Sequence, residues 1–246
     1  MNNIEFLRYK RQFPENWNEF TKEQLTFVSS VLRCNIKREV AEILIIKKFL
    51  QFSNNVFHKI HALAIADIAK AISFIFEKKE LTINLIPVIK IRRKQFYGPE
   101  NACLDLTFEQ FFGYAETYFI LFAETGQIEH LDNLVCSLYS QKKGSFNPDF
   151  FEKNLKLLKT VNTNVKFSIF LFYTGCRDLI ASKFPELFSN TKSNQSKSQF
   201  HYFELIDNLN NDTIANNDSI KKSNVYEAFV RLSTMIKKPK KTDTNS

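Results

Sequence analysis

A chain of 246 residues can bury a full-sized core as one domain, with room for an appendage but not for a second independent enzyme domain. Its 26 phenylalanines, each burying roughly 150–250 Å² when packed, favour a folded globule over disorder. The net charge of +8 is local: removing Lys90, Arg92, Arg93 and Lys94 together with Lys237, Lys238, Lys240 and Lys241 leaves 26 basic against 26 acidic residues, which excludes a uniformly basic body.

The first helix is predicted over 18–32. Thr21 followed by Gln24 has capping-box spacing, and Phe20 and Leu25 stand at the positions of a hydrophobic staple. A second helix is predicted over 37–52, with Val40, Ile43, Leu44 and Leu50 near one face. A third is predicted over 56–76, with Ile60, Leu63, Ala64, Ile68, Ala71, Ile72 and Ile75 at helical spacing. His58 and His61 would then occupy neighbouring turns, a spacing that metal ligands use but that an ordinary structural pair shares.

From Leu81 the pattern mixes alternation with an apolar run, and Pro87 cannot donate to a ladder. Residues 81–97 therefore read as an extended connector or a short edge hairpin, closed by a turn at Tyr97, Gly98, Pro99 and Glu100. A helical hairpin follows. Thr107 and Gln110 repeat the capping-box spacing, Leu106 and Phe111 the staple, Gly126 supplies the stop, and a second helix over 128–139 starts after almost no loop, so the two are antiparallel neighbours. The stripe Phe108, Phe111, Phe112, Tyr118, Phe119 and Phe122 reads as core, with surplus apolar surface available to a partner.

Asn147 before Pro148 starts the next helix, and helices over 150–158 and 165–184 complete the core. The fold class is mainly α, a multi-helix orthogonal bundle. The domain reading is a helical core over 1–188, a polar linker over 189–199, a C-terminal helical segment over 200–236 and a mobile basic tail over 237–246. Within that segment, helices are expected over 200–209 and 225–236. Phe200, Tyr202, Phe203, Leu205, Ile206 and Phe229 form its candidate partner surface, suited to helix-in-groove docking.

No catalytic constellation emerges. The five glycines are at least thirteen residues apart, which excludes both the dinucleotide-binding and the P-loop glycine clusters. The cysteines at 34, 103, 136 and 176 form no CxxC, which argues against a zinc module or a disulfide scaffold and suits a reducing compartment. Glu116, Glu124 and Asp132 read as solvated helix faces, not an acid/base set, and Ser168 and Cys176 belong to no nucleophile motif. No cofactor or metal is expected. No signal peptide is evident and no apolar run reaches membrane-spanning length, so a soluble intracellular protein is expected. The run KIRRKQFY at 90–97 is the candidate phosphate contact: Lys90, Arg92, Arg93 and Lys94 would hold phosphates while Phe96 or Tyr97 stacks on a base.

Taken in order, FPENWNEFTKEQL at 13–25, LTINLIP at 81–87, YGPENACLDLTFEQF at 97–111, LVCSLYS at 134–140, FPELF at 184–188 and FHYFELIDNLNNDTI at 200–214 resemble an uncharacterised group of helical proteins from phages and prophages of Bacteroidota. The resemblance implies a non-enzymatic tail-assembly chaperone that holds a long apolar tail protein, such as a tape measure, in the host cytoplasm. The alternatives are a virion structural protein of the tail or connector, and a nucleic-acid-binding regulator. The group supplies no catalytic residues.

Overall fold

Side-chain caps fix the starts of several helices, those beginning at Lys22, Ala62 and Thr163 among them. The computed structural model describes residues 2–6, 9–51, 53–185 and 217–237. The chain opens with an antiparallel hairpin, β1 (Asn2–Phe6) and β2 (Tyr9–Phe13), which the sequence reading did not anticipate. After a 3-10 turn at Trp17–Glu19, helix α1 (Lys22–Arg33) starts from a complete capping box: Gln24 donates its N–H to Thr21 Oγ1 at 3.1 Å, and Thr21 donates its own to Gln24 Oε1 at 2.8 Å. Phe20 and Leu25 are both buried, as the staple requires.

Helix α2 (Arg38–Leu50) ends at Gln51, which takes a left-handed conformation. The long third helix of the sequence reading is instead broken. A single turn, α3 (Asn54–Phe57), gives way to α4 (Ala62–Ala71) and a 3-10 turn at Ser73–Phe76. The break lies at His61, whose Nδ1 accepts the Leu63 N–H at 3.3 Å and so caps α4 in place of the helical continuation.

The connector forms a hairpin, β3 (Val88–Ile91) and β4 (Lys94–Tyr97), closed by Arg92 and Arg93, with Arg92 at a positive φ of 54°. Asn18 brackets the chain before it: its Oδ1 accepts the N–H groups of Thr82 at 2.8 Å and Ile83 at 2.9 Å. The helical hairpin then begins with a π-helical stretch, Glu109–Ala115, which runs directly into α5 (Glu116–Thr125). Gly126 caps it at φ 66°, and α6 (Ile128–Leu138) follows. Here only half of the expected capping box forms. Thr107 Oγ1 accepts the Gln110 N–H, but the buried Gln110 side chain donates to Ser137 O at 2.8 Å, tying the two arms together.

Asn147 caps the 3-10 turn Pro148–Phe150, and α7 (Phe151–Leu158) continues from it. Asn162 then caps α8 (Thr163–Lys183), the long helix against which α1 and α6 pack. At Gly175 a Cβ would lie 2.3 Å from Leu81 O, so only glycine lets the connector approach α8 this closely. Two further helices, α9 (Asn217–Lys222) and α10 (Val225–Lys237), lie against the start of the helical hairpin. The architecture is the mainly α orthogonal bundle, with small antiparallel hairpins attached.

Candidate interaction surfaces

Most groups singled out in the sequence that fall within the described residues are structural. Glu116, Glu124 and Asp132 do not converge. Glu116 accepts from Arg177 Nε at 2.7 Å and faces the Tyr173 hydroxyl at 3.4 Å. Asp132 accepts from Lys166 Nζ at 2.5 Å, and Glu124 is exposed. Burial, reinforced by the charge of Glu116, holds the Tyr173 phenol well above the ordinary tyrosine range, so it stays a hydrogen-bond donor. Ser168 is a buried tie, its Oγ 2.8 Å from Ser29 Oγ on α1. Cys136 is buried beside Phe151 O, and burial first, then Glu152, pushes its thiol up to about 12, which makes it a poor nucleophile.

His58 closes α3 and His61 opens α4, so the two are not on successive turns of one helix. Among the described residues no group of three or more His, Cys, Asp or Glu side chains could hold a metal ion. No helix among them is long and apolar enough to cross a membrane.

The aromatic stripe is core. Phe108 and Phe111 are fully buried, Phe119 and Phe122 nearly so, and Phe112 and Tyr118 pack against them. The C-terminal helices complete this core. Phe108 donates its N–H to Ser223 O at 2.9 Å, Val225 donates to Leu106 O at 3.0 Å, and the Tyr226 hydroxyl donates to Ala102 O at 2.7 Å. Phe229 sits between Phe111, Phe112 and Phe184, with ring centroids 5.3–5.7 Å apart, and has no exposed surface. This corrects its assignment to a partner surface: its aromatic face is spent inside the molecule. The other candidates on that segment, Phe200, Tyr202, Phe203, Leu205 and Ile206, lie outside the described residues, as do Lys238, Lys240 and Lys241 of the basic tail.

Two surfaces stand out instead. The first is on α2. Its buried arc is Ala41, Ile45, Ile46, Phe49 and Leu50, so of the face expected to be core only Leu50 is buried. Val40, Ile43 and Leu44 are 47 %, 44 % and 40 % exposed, on the opposite side of the helix. Leu63, also expected in the core, is 70 % exposed in the first turn of α4. Charges of both signs flank the α2 stripe: Lys37 precedes the helix, Glu39 is exposed one turn before Ile43, and Lys47 and Lys48 lie over the rings of Phe57 and Phe27 at 5.4 and 5.6 Å. A helix apolar on all sides normally has all of them covered, and a row of half-exposed aliphatic side chains at helical spacing suits an apolar partner.

The second surface is the β3–β4 hairpin. Lys90, Arg92, Arg93 and Lys94 are all exposed, and no ion pair involves them among the described residues. Phe96 is fully buried and so offers no stacking face, whereas Tyr97 is half-buried and its hydroxyl donates to Gln95 Oε1 at 3.0 Å. Lys90 and Arg92, but not Arg93 or Lys94, line a groove of about 440 Å³ that also receives Lys22 and residues 160–162 and 165. Lys22 was not part of the sequence reading, because nothing local links the first turn of α1 to a hairpin seventy residues on.

Comparison with protein-family models, with curated proteins and with solved structures finds no match to this chain.

Proposed function

We propose that the protein is a non-enzymatic assembly factor that holds an apolar helix of a partner protein against α2. The observation that carries this reading is the exposed stripe of Val40, Ile43 and Leu44 on a helix that packs into the core through Ala41, Ile45, Ile46, Phe49 and Leu50 on its other side. The occupant is an amphipathic helix whose apolar face covers the stripe, with acidic residues at the end that meets Lys47 and Lys48. Covering the exposed halves of three aliphatic side chains contributes roughly 3 kcal/mol, a factor of about 100 in affinity. The partner implied by the resemblance is a long apolar phage tail protein such as a tape measure, which a chaperone would shield before polymerisation.

The test is nuclease-treated affinity purification of the tagged protein, and of its Val40→Ser/Ile43→Ser/Leu44→Ser variant, from cells carrying the native phage element, with mass spectrometry of what stays bound. The expected result is one long tail protein recovered with the wild type and lost with the variant, while purified particles lack the assembly factor. Stoichiometric presence in particles would reassign it as a virion component. Equal recovery with both forms would remove α2 from the interaction.

A further inference from the structure

The groove beside the basic hairpin runs along an open strand edge. β3 pairs with β4 on one side and with no other strand among the described residues. In an antiparallel ladder, pairs that exchange both main-chain bonds alternate with pairs whose N–H and C=O groups point outward. Gly98 donates its N–H to Pro87 O at 2.9 Å, and Tyr97 exchanges outward bonds with Ser140 at 2.7 and 3.0 Å. Val88 opposite Tyr97 is therefore an outward pair, and so is Lys90 opposite Gln95. On the β4 side Ser140 takes the outward groups. On the β3 side those of Val88 and Lys90 face the groove, which is lined by β3 and by the residues leading into α8.

The chemistry of the groove narrows its ligand. Lys22, Lys90 and Arg92 line it, no acidic residue does, and none of the three is in an ion pair among the described residues. Ile86, Val88 and Val165 give it an apolar component. A phosphate backbone only accepts hydrogen bonds, so it would leave the outward carbonyls of Val88 and Lys90 unpaired. A second strand supplies donors and acceptors in alternation, with side chains that reach both the apolar and the basic positions.

We infer that this groove takes an extended acidic peptide of a partner protein, which adds as a strand to the free edge of β3 and sets its carboxylates against Lys22, Lys90 and Arg92. The site is separate from the α2 stripe and does not depend on it. The three basic residues come from two elements far apart in sequence, and they steer and register the peptide while the strand edge holds it.

The experiment titrates the full chain with three fluorescent probes: a short peptide alternating valine and glutamate, the same peptide N-methylated on the amides that would face β3, and single-stranded oligothymidine of matched charge. Anisotropy reads binding, and amide hydrogen exchange reads Val88 and Lys90. Binding of the parent peptide is expected to slow exchange at both amides and to be abolished by N-methylation. It should also weaken about tenfold in Lys22→Gln/Lys90→Gln/Arg92→Gln, as three exposed charge pairs would give. Equal binding of the N-methylated copy, unchanged exchange at Val88 and Lys90, no binding of the peptide, or preference for oligothymidine would overturn the inference, the last assigning the groove to nucleic acid.

Discussion

Helices α1 and α2 are neighbours of 12 and 13 residues, packed on each other, and they use their apolar residues in opposite ways. α1 has one buried stripe, Leu25, Val28 and Val31, with α8 beneath it. α2 is apolar around most of its circumference, buries the arc from Ala41 to Leu50, and leaves Val40, Ile43 and Leu44 outside. Burial is decided by what lies opposite a helix, not by the helix itself, and a second apolar face left over after packing is surface that a partner can use.

The comparison breaks most readily from beneath. α8, which supports α1, is joined to α6 by the buried Lys166–Asp132 pair, and Lys166 Nζ also donates to Lys159 O at 2.8 Å. Lys166→Met leaves the Asp132 carboxylate buried without its partner and is expected to cost about 4 kcal/mol in denaturant unfolding, most of it recovered by adding Asp132→Leu. On the buried arc of α2, Ile45→Ala should cost about 3 kcal/mol by opening a cavity. Thr21→Ala, which removes the α1 cap, should cost about 1 kcal/mol in the same assay. Ile43→Ser, which removes only a half-buried side chain on the outer face of α2, should cost no more than about 1 kcal/mol. A loss at Ile43 as large as that at Ile45 would erase the difference between the two faces.

What the sequence made legible was chemistry confined to a few consecutive residues. The Thr21–Gln24 box, the Asn147–Pro148 start and the Gly126 stop are satisfied by groups within one turn, and each stands where its spacing placed it. The hairpin near 81–97 was readable for the same reason, since Pro87 restricts that stretch. Three features depended on distant neighbours and were not readable. The face of α2 was ambiguous because two apolar arcs compete, and contacts with Phe13, Phe20 and α4 select between them. The break at His61 was hidden because apolar spacing continues across it. Phe229 read as surface because nothing in its own helix shows that Phe111, Phe112 and Phe184 surround it. Of the candidate site, the four cations of the hairpin were visible, whereas Lys22 and the open β3 edge came only with the fold.

The most direct test of the outer face of α2 is site-specific photocrosslinking in cells that express the protein natively, with the crosslinker replacing Ile43 and, as a control, exposed Lys153 on α7. The account predicts a covalent adduct with one long tail protein from position 43 and none from position 153. Adducts of equal yield from both positions, or none from position 43 while the tail protein still co-purifies, would contradict it.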